Sequence, residues 1–483
     1  MTADNKNPVA TPCNAYTQMS RHWELIDDLL GGTQAMRDAG TKWLPREPKE
    51  DEESYSARLN RSILFTGYED AVDDLVSRPF SKPVTIQGDL PDLLKEMPLN
   101  VDGLGTNITQ FARELFDTLL NRGLCHILVD YPKTPAAEGK PLTVAQEKRS
   151  GVRPVFIQIK PDQLIGWRFV VENGKIVLDM IRWLESRYEP DGMFGEKKVE
   201  SVRVYTRTGW QVWKKDSKNE YVISEEGTHT YPDGVPLTTC YITKTGEMTA
   251  EPPLEGLAWQ NLAHWQSYSD QKNLLRFARF PLLFFKGLTE IELEKDVVIG
   301  PGRKWASTNE NADCKYVEHT GAAIDAGRQD LKDVEDRMTA LGLEPLVSRS
   351  GGQTATGQSI DEAKSQSSIQ SWIRSLENTL RNAFKIAAKW VRLEIPDDFK
   401  VDIYNDFGVS VRSATDIDAL LRIRQAKELD RETFLKEVKR RALLGENVDV
   451  QDVMERIESE GPAFGDMLGD GLEDEPGNSG DDE

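Results

Sequence analysis

Basic residues are scarce beside acidic ones. Lys and Arg number 60 against 81 Asp and Glu, for a net charge of −21. Affinity for nucleic acid comes largely from neutralising phosphates, so this balance argues against a general DNA-gripping protein. Two uses of the acid stay open: solubility of a large chain, or a wall that faces a duplex without holding it. Cysteine is sparse too, with four residues at 13, 125, 240 and 314 and no close spacing. Neither a zinc site nor a disulfide framework follows, and reduced thiols are the default. The five histidines at 22, 126, 229, 264 and 319 never fall at metal-ligand spacing. His-Glu-x-x-His, Gly-x-Ser-x-Gly, Cys-x-x-Cys and the Walker phosphate loop are all missing. No catalytic, cofactor-binding or metal-binding residue is therefore assigned, and the chain is read as a non-enzyme. A run of eighteen apolar residues is also lacking, so no membrane span is expected. Residues 1–13 show no basic-then-apolar secretory pattern.

What is present is length and mixed patterning. At 483 residues, 38% hydrophobic and 29% charged, the chain has room for two to four domains. Residues 1–20 read as a flexible N-terminus. His22–Leu30 is an amphipathic helix closed by Gly31-Gly32. Glu52–Thr66, Tyr68–Ser77 and Ile108–Asn121 are further helices, and Gly123 breaks the last before a buried strand, Cys125–Val129. Residues 133–150 read as a surface loop. From Pro154 to Ile242 β signals dominate: Val155–Ile159, Ile176–Trp183, Ser201–Tyr205, Gln211–Trp213, Tyr221–Ser224 and Thr238–Ile242. This is an antiparallel module without βαβ alternation, so the fold class is α+β and a doubly wound nucleotide fold is not expected. Six tryptophans, at 23, 43, 167, 183, 210 and 213, lie in this half. Core or subunit packing is their default use. A carbohydrate-active enzyme built on the Trp-rich β region is the alternative, and would need convergent carboxylates. Adjacent acids such as Asp27-Asp28 and Asp73-Asp74 mean little, because neighbours on a helix point apart. His264, beside Trp265, reads as packing.

The stretch from Pro252 to Gly287 is the most informative. Leu254, Leu257, Ala258, Leu262, Trp265 and Tyr268 recur at offsets of three and four, which is one helical face. A helix over Pro253–Phe277 would reach about 37 Å, a length that suits a strut packed against copies of itself. It turns polar at Ser267–Asn273 and runs into a strand at Leu282–Phe285. Beyond it, Val297–Ile299 and Lys315–Val317 read as short strands, and Ile324–Leu341 as a second, strongly charged helix. Residues 348–359 are rich in Gly, Ser, Thr and Gln. They lack the Gly-Lys-Ser/Thr of a phosphate cradle, and a plain linker stays open as a reading. Ile360–Leu393 is a long amphipathic helix with Ile369, Ile373, Leu376, Leu380, Phe384, Ala387, Ala388 and Val391 on one face. Lys400–Tyr404 is a strand, and Asp406-Phe407-Gly408 has no kinase context. Thr415–Glu428, Arg431–Leu443 and Val450–Glu458 are short helices, the last with Asp449 as N-cap. Residues 461–483 hold eight acids and no base, an acidic tail without fixed structure.

Several of these segments carry a resemblance. Pro253-Leu254, Tyr268-Ser269-Asp270 with Asn273, and Ala278 to Gly287 resemble the stem segment of tailed-bacteriophage portal proteins. Trp23 and Asp28, Gly32 to Arg37, Leu44-Pro45, Tyr55 with Arg58, and Arg78 to Pro83 resemble the start of a portal-like phage family known mainly from sequence. The resemblance implies a portal architecture: a mixed α/β wing (21–252), a first stem helix (253–281) and a small β clip (282–323). A second stem helix (324–347), a tunnel loop (348–359), a long wing helix with a strand (360–410) and C-terminal helices of a crown or wing (411–460) follow. It further implies a homo-oligomer, a dodecameric ring at one capsid vertex, assembled in the host cytoplasm and carried in the virion. Double-stranded DNA would pass through it without tight binding. Implied partners are the terminase large subunit, neck or adaptor proteins, and the major capsid and scaffold proteins; no membrane or cofactor is involved. The tunnel loop would place Arg349, Gly351, Gly352, Gln353, Thr354, Thr356 and Gly357 at the constriction, with Arg349 and Lys364 as weak DNA-backbone contacts. Leu254, Leu257, Leu262, Trp265 and Tyr268 would pack the stem. Another head–tail connector is the alternative within the same class; connectors are usually shorter and lack paired stem helices.

Overall fold

The computed structural model describes residues 8–132, 152–279, 282–287, 309, 311–317, 321–343, 368–405, 421–426, 428–440 and 450–459. The expectations for the strand at 297–299, the loop at 348–359, the helix start at 360–367, Lys364, the 406–408 turn, Asp449 and the tail at 461–483 lie outside these residues. The chain divides into two compact units, residues 1–405 and 406–483.

The first unit opens with short helices: α1 (Asn14–Met19), α2 (Glu24–Leu30), α3 (Gly32–Ala39), α4 (Glu52–Arg61) and α5 (Gly67–Ser77). Residues 8–20, expected to be loose, are held against the body. Arg182 donates to the carbonyls of Val9 and Thr11, Tyr16 donates to the Asp162 carbonyl at 2.7 Å, and Met19 and Trp23 are buried. The α4 helix stops at Arg61, short of the expected Thr66. Ser62 turns extended because tertiary partners take its end of the chain: its hydroxyl bonds that of Ser269 at 2.9 Å, and Leu64 N–H donates to the Thr33 hydroxyl at 3.1 Å.

Strand β1 (Thr85–Gln87) precedes α6 (Ile108–Arg122), whose apolar stripe from Ile108 to Leu120 is buried. Asn107 caps its start by accepting from Gln110 N–H at 2.9 Å. Gly123 ends it at φ +82°, and a Cβ there would collide with the Glu251 carbonyl, so glycine is required on both counts. A three-stranded antiparallel sheet follows, ordered β3–β2–β9, from β2 (Leu124–Asp130), β3 (Val155–Ile159) and β9 (Leu237–Tyr241). The expected strand at 238–242 therefore joins this central sheet rather than the β module. Here Cys125 lies directly opposite Cys240, both buried and free, a pairing that spacing in sequence did not reveal.

His126 is buried on this sheet, its Nδ1 at 2.9 Å from the Thr239 hydroxyl. Burial pushes its pKa down to about 3, so it stays neutral in the fold. Once unfolded it protonates near its ordinary 6.5. Between those values the unfolded chain holds the extra proton, so stability is full above pH 6.5 and falls as pH drops. Urea unfolding at pH 5 should show about 2 kcal/mol less stability than at pH 7 from this group. His126→Gln should flatten that slope; an equally steep slope in the variant would rule the assignment out.

The β module is a five-stranded antiparallel meander of β4 (Leu164–Glu172), β5 (Lys175–Asp191), β6 (Gly195–Thr206), β7 (Gly209–Lys215) and β8 (Tyr221–Thr228). Trp183, Tyr205, Ile181 and Leu164 form its core, with Trp167 and Trp210 packed beside them. Short strands β10 (Lys244–Gly246) and β11 (Thr249–Ala250) lead to the helical hairpin described below.

Helix α7 (Glu255–Ala278), strands β12 (Leu282–Lys286) and β13 (Asp313–Val317), and helix α8 (Ala322–Leu343) come next. Helix α9 (Ser368–Trp390) lays Ile369, Ile373, Leu376, Leu380, Phe384, Ala387 and Ala388 into the core, against β2, β9 and α6. It ends earlier than the expected 393, in a turn with Arg392 at φ +56°. Strand β14 is Lys400–Asp402, shorter than expected, and pairs antiparallel with β1. In the second unit, residues 421–425 are helical, and α10 (Arg431–Arg440) and α11 (Val450–Ser459) pack together.

Candidate functional site

The α7–α8 pair is an antiparallel helical hairpin whose far end carries a strand pair. The direction is fixed by contacts at two levels. Gln271 Nε2 donates to the Ile324 carbonyl at 2.9 Å, and His264 Nε2 lies 3.2 Å from Glu335 Oε1, so numbers rise on α8 as they fall on α7. Close approach is licensed by Gly327, where a Cβ would run into the Gln271 side chain. Beyond the helices, β12 and β13 pair antiparallel from Leu282↔Val317 to Lys286↔Asp313. The helices run 255–278 and 322–343, against the expected 253–281 and 324–347.

The proximal two-thirds of α7 is embedded in the chain's own helices, not left free for copies of itself. Leu254, just ahead of the helix, and Leu257, Ala258, Leu262 and Trp265 along it are buried, with α2, α4, α5 and α8 around them. Tyr268 is half-buried; its ring stacks on His264 at 5.9 Å and carries Lys272 Nζ at 5.0 Å. His264 is itself buried beside Phe65 at 4.9 Å, a packing role.

The polar residues of α7 have a definite task. Asn261 accepts from Tyr68 N–H at 2.8 Å and donates to the Phe65 carbonyl at 2.9 Å. Gln266 donates to the Trp43 carbonyl at 2.8 Å, and Ser269 meets Ser62. Asp270 lies 3.6 Å from Arg58 Nη1. Together these bonds clamp the base of the hairpin to the N-terminal helices.

Arg58 sits at the centre of that clamp and is 4% exposed. Its guanidinium grips Glu50 in two parallel bonds of 2.9 and 2.8 Å, and donates to the Pro45 carbonyl at 2.8 Å. The Arg58 bonds hold the Glu50 carboxyl below the usual carboxylate range. Tyr55 donates to the Leu44 carbonyl at 3.1 Å. Arg37 donates to the Ser62 carbonyl at 2.9 Å, and Trp43 Nε1 donates to Asp28 at 2.6 Å. Of the residues singled out near the N-terminus, Asp28, Arg37, Leu44, Pro45, Tyr55 and Arg58 thus belong to one network around the hairpin base, whereas Trp23 packs with Met19, Leu124 and Ala250, and Phe80 with Phe116. The acid pairs are structural in the same way: Asp27 pairs with Arg122, and Asp74 with Arg78 at 2.7 Å.

A family model described as a domain of unknown function, DUF4055, matches residues 253–391. That span opens two residues before α7 and closes one residue after α9. No curated protein sequence matches the chain. Among solved structures, the chain is similar to one from the neck of an empty gene transfer agent (GTA) particle computed with C6 symmetry. Identity there is 12%, coverage 84% of this chain and 98% of that one, and the TM-score 0.41. It is also similar to chains from the neck of the native GTA particle computed with C12 symmetry (12% identity, 78% and 89% covered, TM-score 0.37) and from the virion of the native particle (11%, 82% and 96%, 0.39).

Helix α8 presents charge outward. Asp325, Asp330, Asp333, Glu335 and Asp336 are exposed, against Arg328, Lys332 and Arg337. Its inward positions are few: Val334 and Met338 are buried, and Gly342 approaches Ala71. Of the tryptophans, Trp23 and Trp183 are buried and Trp43, Trp167, Trp210 and Trp213 are half-buried. Arg203 lies over the rings of both Trp183 and Trp210, at 5.9 and 5.5 Å. Arg349, Gly351, Gly352, Gln353, Thr354, Thr356, Gly357 and Lys364 fall outside the described residues. Among the described residues no helix is long and apolar enough to cross a membrane.

Proposed function

We propose that this chain is a portal protein: a subunit of a closed ring at a capsid vertex through which double-stranded DNA enters and leaves. The observation that carries the reading is the helical hairpin. A long helix, a strand pair at its tip and a returning helix follow one another in the stem–clip–stem order, on the residues that resemble the portal stem. The clamp of Asn261, Gln266, Ser269 and Asp270 on the N-terminal helices gives such a stem a rigid base.

The role is mechanical and needs no catalytic group. Subunits meet through unlike faces, the arrangement that closes into a ring. Acid on the outward face of α8 keeps a polyanion from settling where that face meets the channel. Terminase docks at one end of the ring and neck proteins at the other. Native mass spectrometry with negative-stain imaging of the purified chain tests the reading. A ring of about a dozen copies with an axial hole is expected, and a compact closed dimer would overturn it. Within the ring, Arg349→Ala should leave assembly intact and change the length or retention of packaged DNA. Loss of assembly in that variant would make Arg349 structural instead.

A further inference from the structure

The longest strands of the β module outrun their neighbours. β4 pairs with β5 only as far as Trp183, and β7 pairs with β6 only from Ser201. Beyond those points β5 and β6 continue with no further strand beside them among the described residues, from Ser186↔Glu200 to Asp191↔Gly195. Six pairs at about 3.3 Å each give a two-stranded ribbon reaching roughly 20 Å past the sheet. Nearly every residue on both faces of this ribbon is exposed. A ribbon of two strands with no covered face is marginally stable in water.

The tip is the informative part. Gly192, at φ +75°, Met193 and Phe194 make the turn. Turn tips favour Gly, Asn, Asp, Ser and Pro. Here two large apolar side chains stand there instead, 87% and 92% exposed, with Tyr188 on the stalk at 68%. A local choice that opposes both turn chemistry and solubility marks a functional site.

The same unit holds an acceptor left open by the described residues. Pro83, Val84, Ile86, Leu90, Pro98 and Leu99 line an open, mainly apolar groove of about 760 Å³ between β1 and the start of α6. Leu99 on its lip is 73% exposed, and no described residue fills the groove. A groove of this size is enough to hold a drug-sized ligand, and so more than one large side chain. Tip and groove are different patches of one chain. A contact of one to the other that passes on to a third copy is heterologous, the type that closes a ring, whereas one returned by the same neighbour makes a two-fold dimer.

We propose that the 186–200 ribbon is an intersubunit arm whose Met193–Phe194 tip seats in the 83–99 groove of a second copy of the chain. The choice of a second copy rests on the ring proposed above and on the apolar character shared by arm tip and groove, both left uncovered by the described residues. The test uses the purified full chain. Met193→Ser/Phe194→Ser and, separately, Leu99→Asp are compared with wild type by native mass spectrometry, with circular dichroism and thermal midpoint as checks of folding. A cysteine pair, Phe194→Cys with Leu99→Cys in a Cys314→Ser background, is oxidised and run on denaturing gels.

The expected result is a wild-type ring, tip and groove variants shifted at least tenfold towards monomer with unchanged midpoints, and an interchain crosslink from the cysteine pair. If wild type forms a ring that both variants leave intact, and no crosslink appears, the arm is overturned and the ring stands. If wild type forms only a two-fold dimer that the tip variant dissolves, the arm stands and the ring reading falls. A wild-type chain that stays monomeric and gives no crosslink overturns the arm.

Discussion

Replacing Arg58 with alanine should cost about 3–5 kcal/mol of folding stability, because it leaves Glu50 buried without its partner. The Glu50 side chain is 10% exposed, so solvent cannot replace the two bonds it loses. The Pro45 carbonyl loses a donor as well. Urea unfolding at pH 7 measures the loss. The pH dependence gives a second check. Glu50 is held below its ordinary 4.5, so the ion pair contributes above that value and its contribution fades as pH falls through the depressed value. The gap between wild type and Arg58→Ala should therefore narrow in acid. Replacing both Arg58 and Glu50 with apolar residues should cost less than removing Arg58 alone. Equal losses would mean that Arg58 acts through packing on Tyr55, 5.5 Å from its guanidinium, rather than through charge.

Trp265→Ala should be comparably severe, again about 3–5 kcal/mol. The indole is fully buried (0% exposed) at the point where α7 is enclosed by its neighbours. Truncation opens a cavity that helices on several sides cannot all close. Trp265→Phe should cost much less. The indole Nε1 has no hydrogen-bond partner among the described residues, so phenylalanine removes an unsatisfied donor along with part of the volume. A phenylalanine variant as damaged as the alanine variant would point to a bonded N–H.

Elements with one apolar face were readable from the chain alone. Leu257, Leu262 and Trp265 on α7, and the Ile369-to-Ala388 stripe on α9, announce themselves by helical spacing because each helix buries one side. Strand β4 did not, since Gly166 and two bulges break its alternation. At Gly166 the missing Cβ leaves room for the Arg182 guanidinium on its way to Val9 and Thr11. The arm was equally silent, because a ribbon exposed on both faces has no pattern to show. Facing partners such as Cys125 and Cys240 depend on register between distant strands, which no local window contains. The polar run at Ser267–Asn273 was visible, but its meaning was not. It reads as a solvated stretch until Ser62, Arg58 and Ile324 are seen against it.

A sheet of two three-residue strands has the widest consequence for how the chain is made. Among the described residues strand β1 pairs with β14 alone, at Thr85↔Asp402, Ile86↔Val401 and Gln87↔Lys400. Almost the whole first unit must leave the ribosome before that pair can close, and contacts so distant in sequence come late in folding. Until then Phe399, fully buried in the finished fold, has no pocket, and Gly88, over which its backbone lies, is bare. Nascent chains wait with an open edge, and premature termination before Lys400 leaves them there. A chaperone, or a second chain offering the same strand, would find its opening at β1.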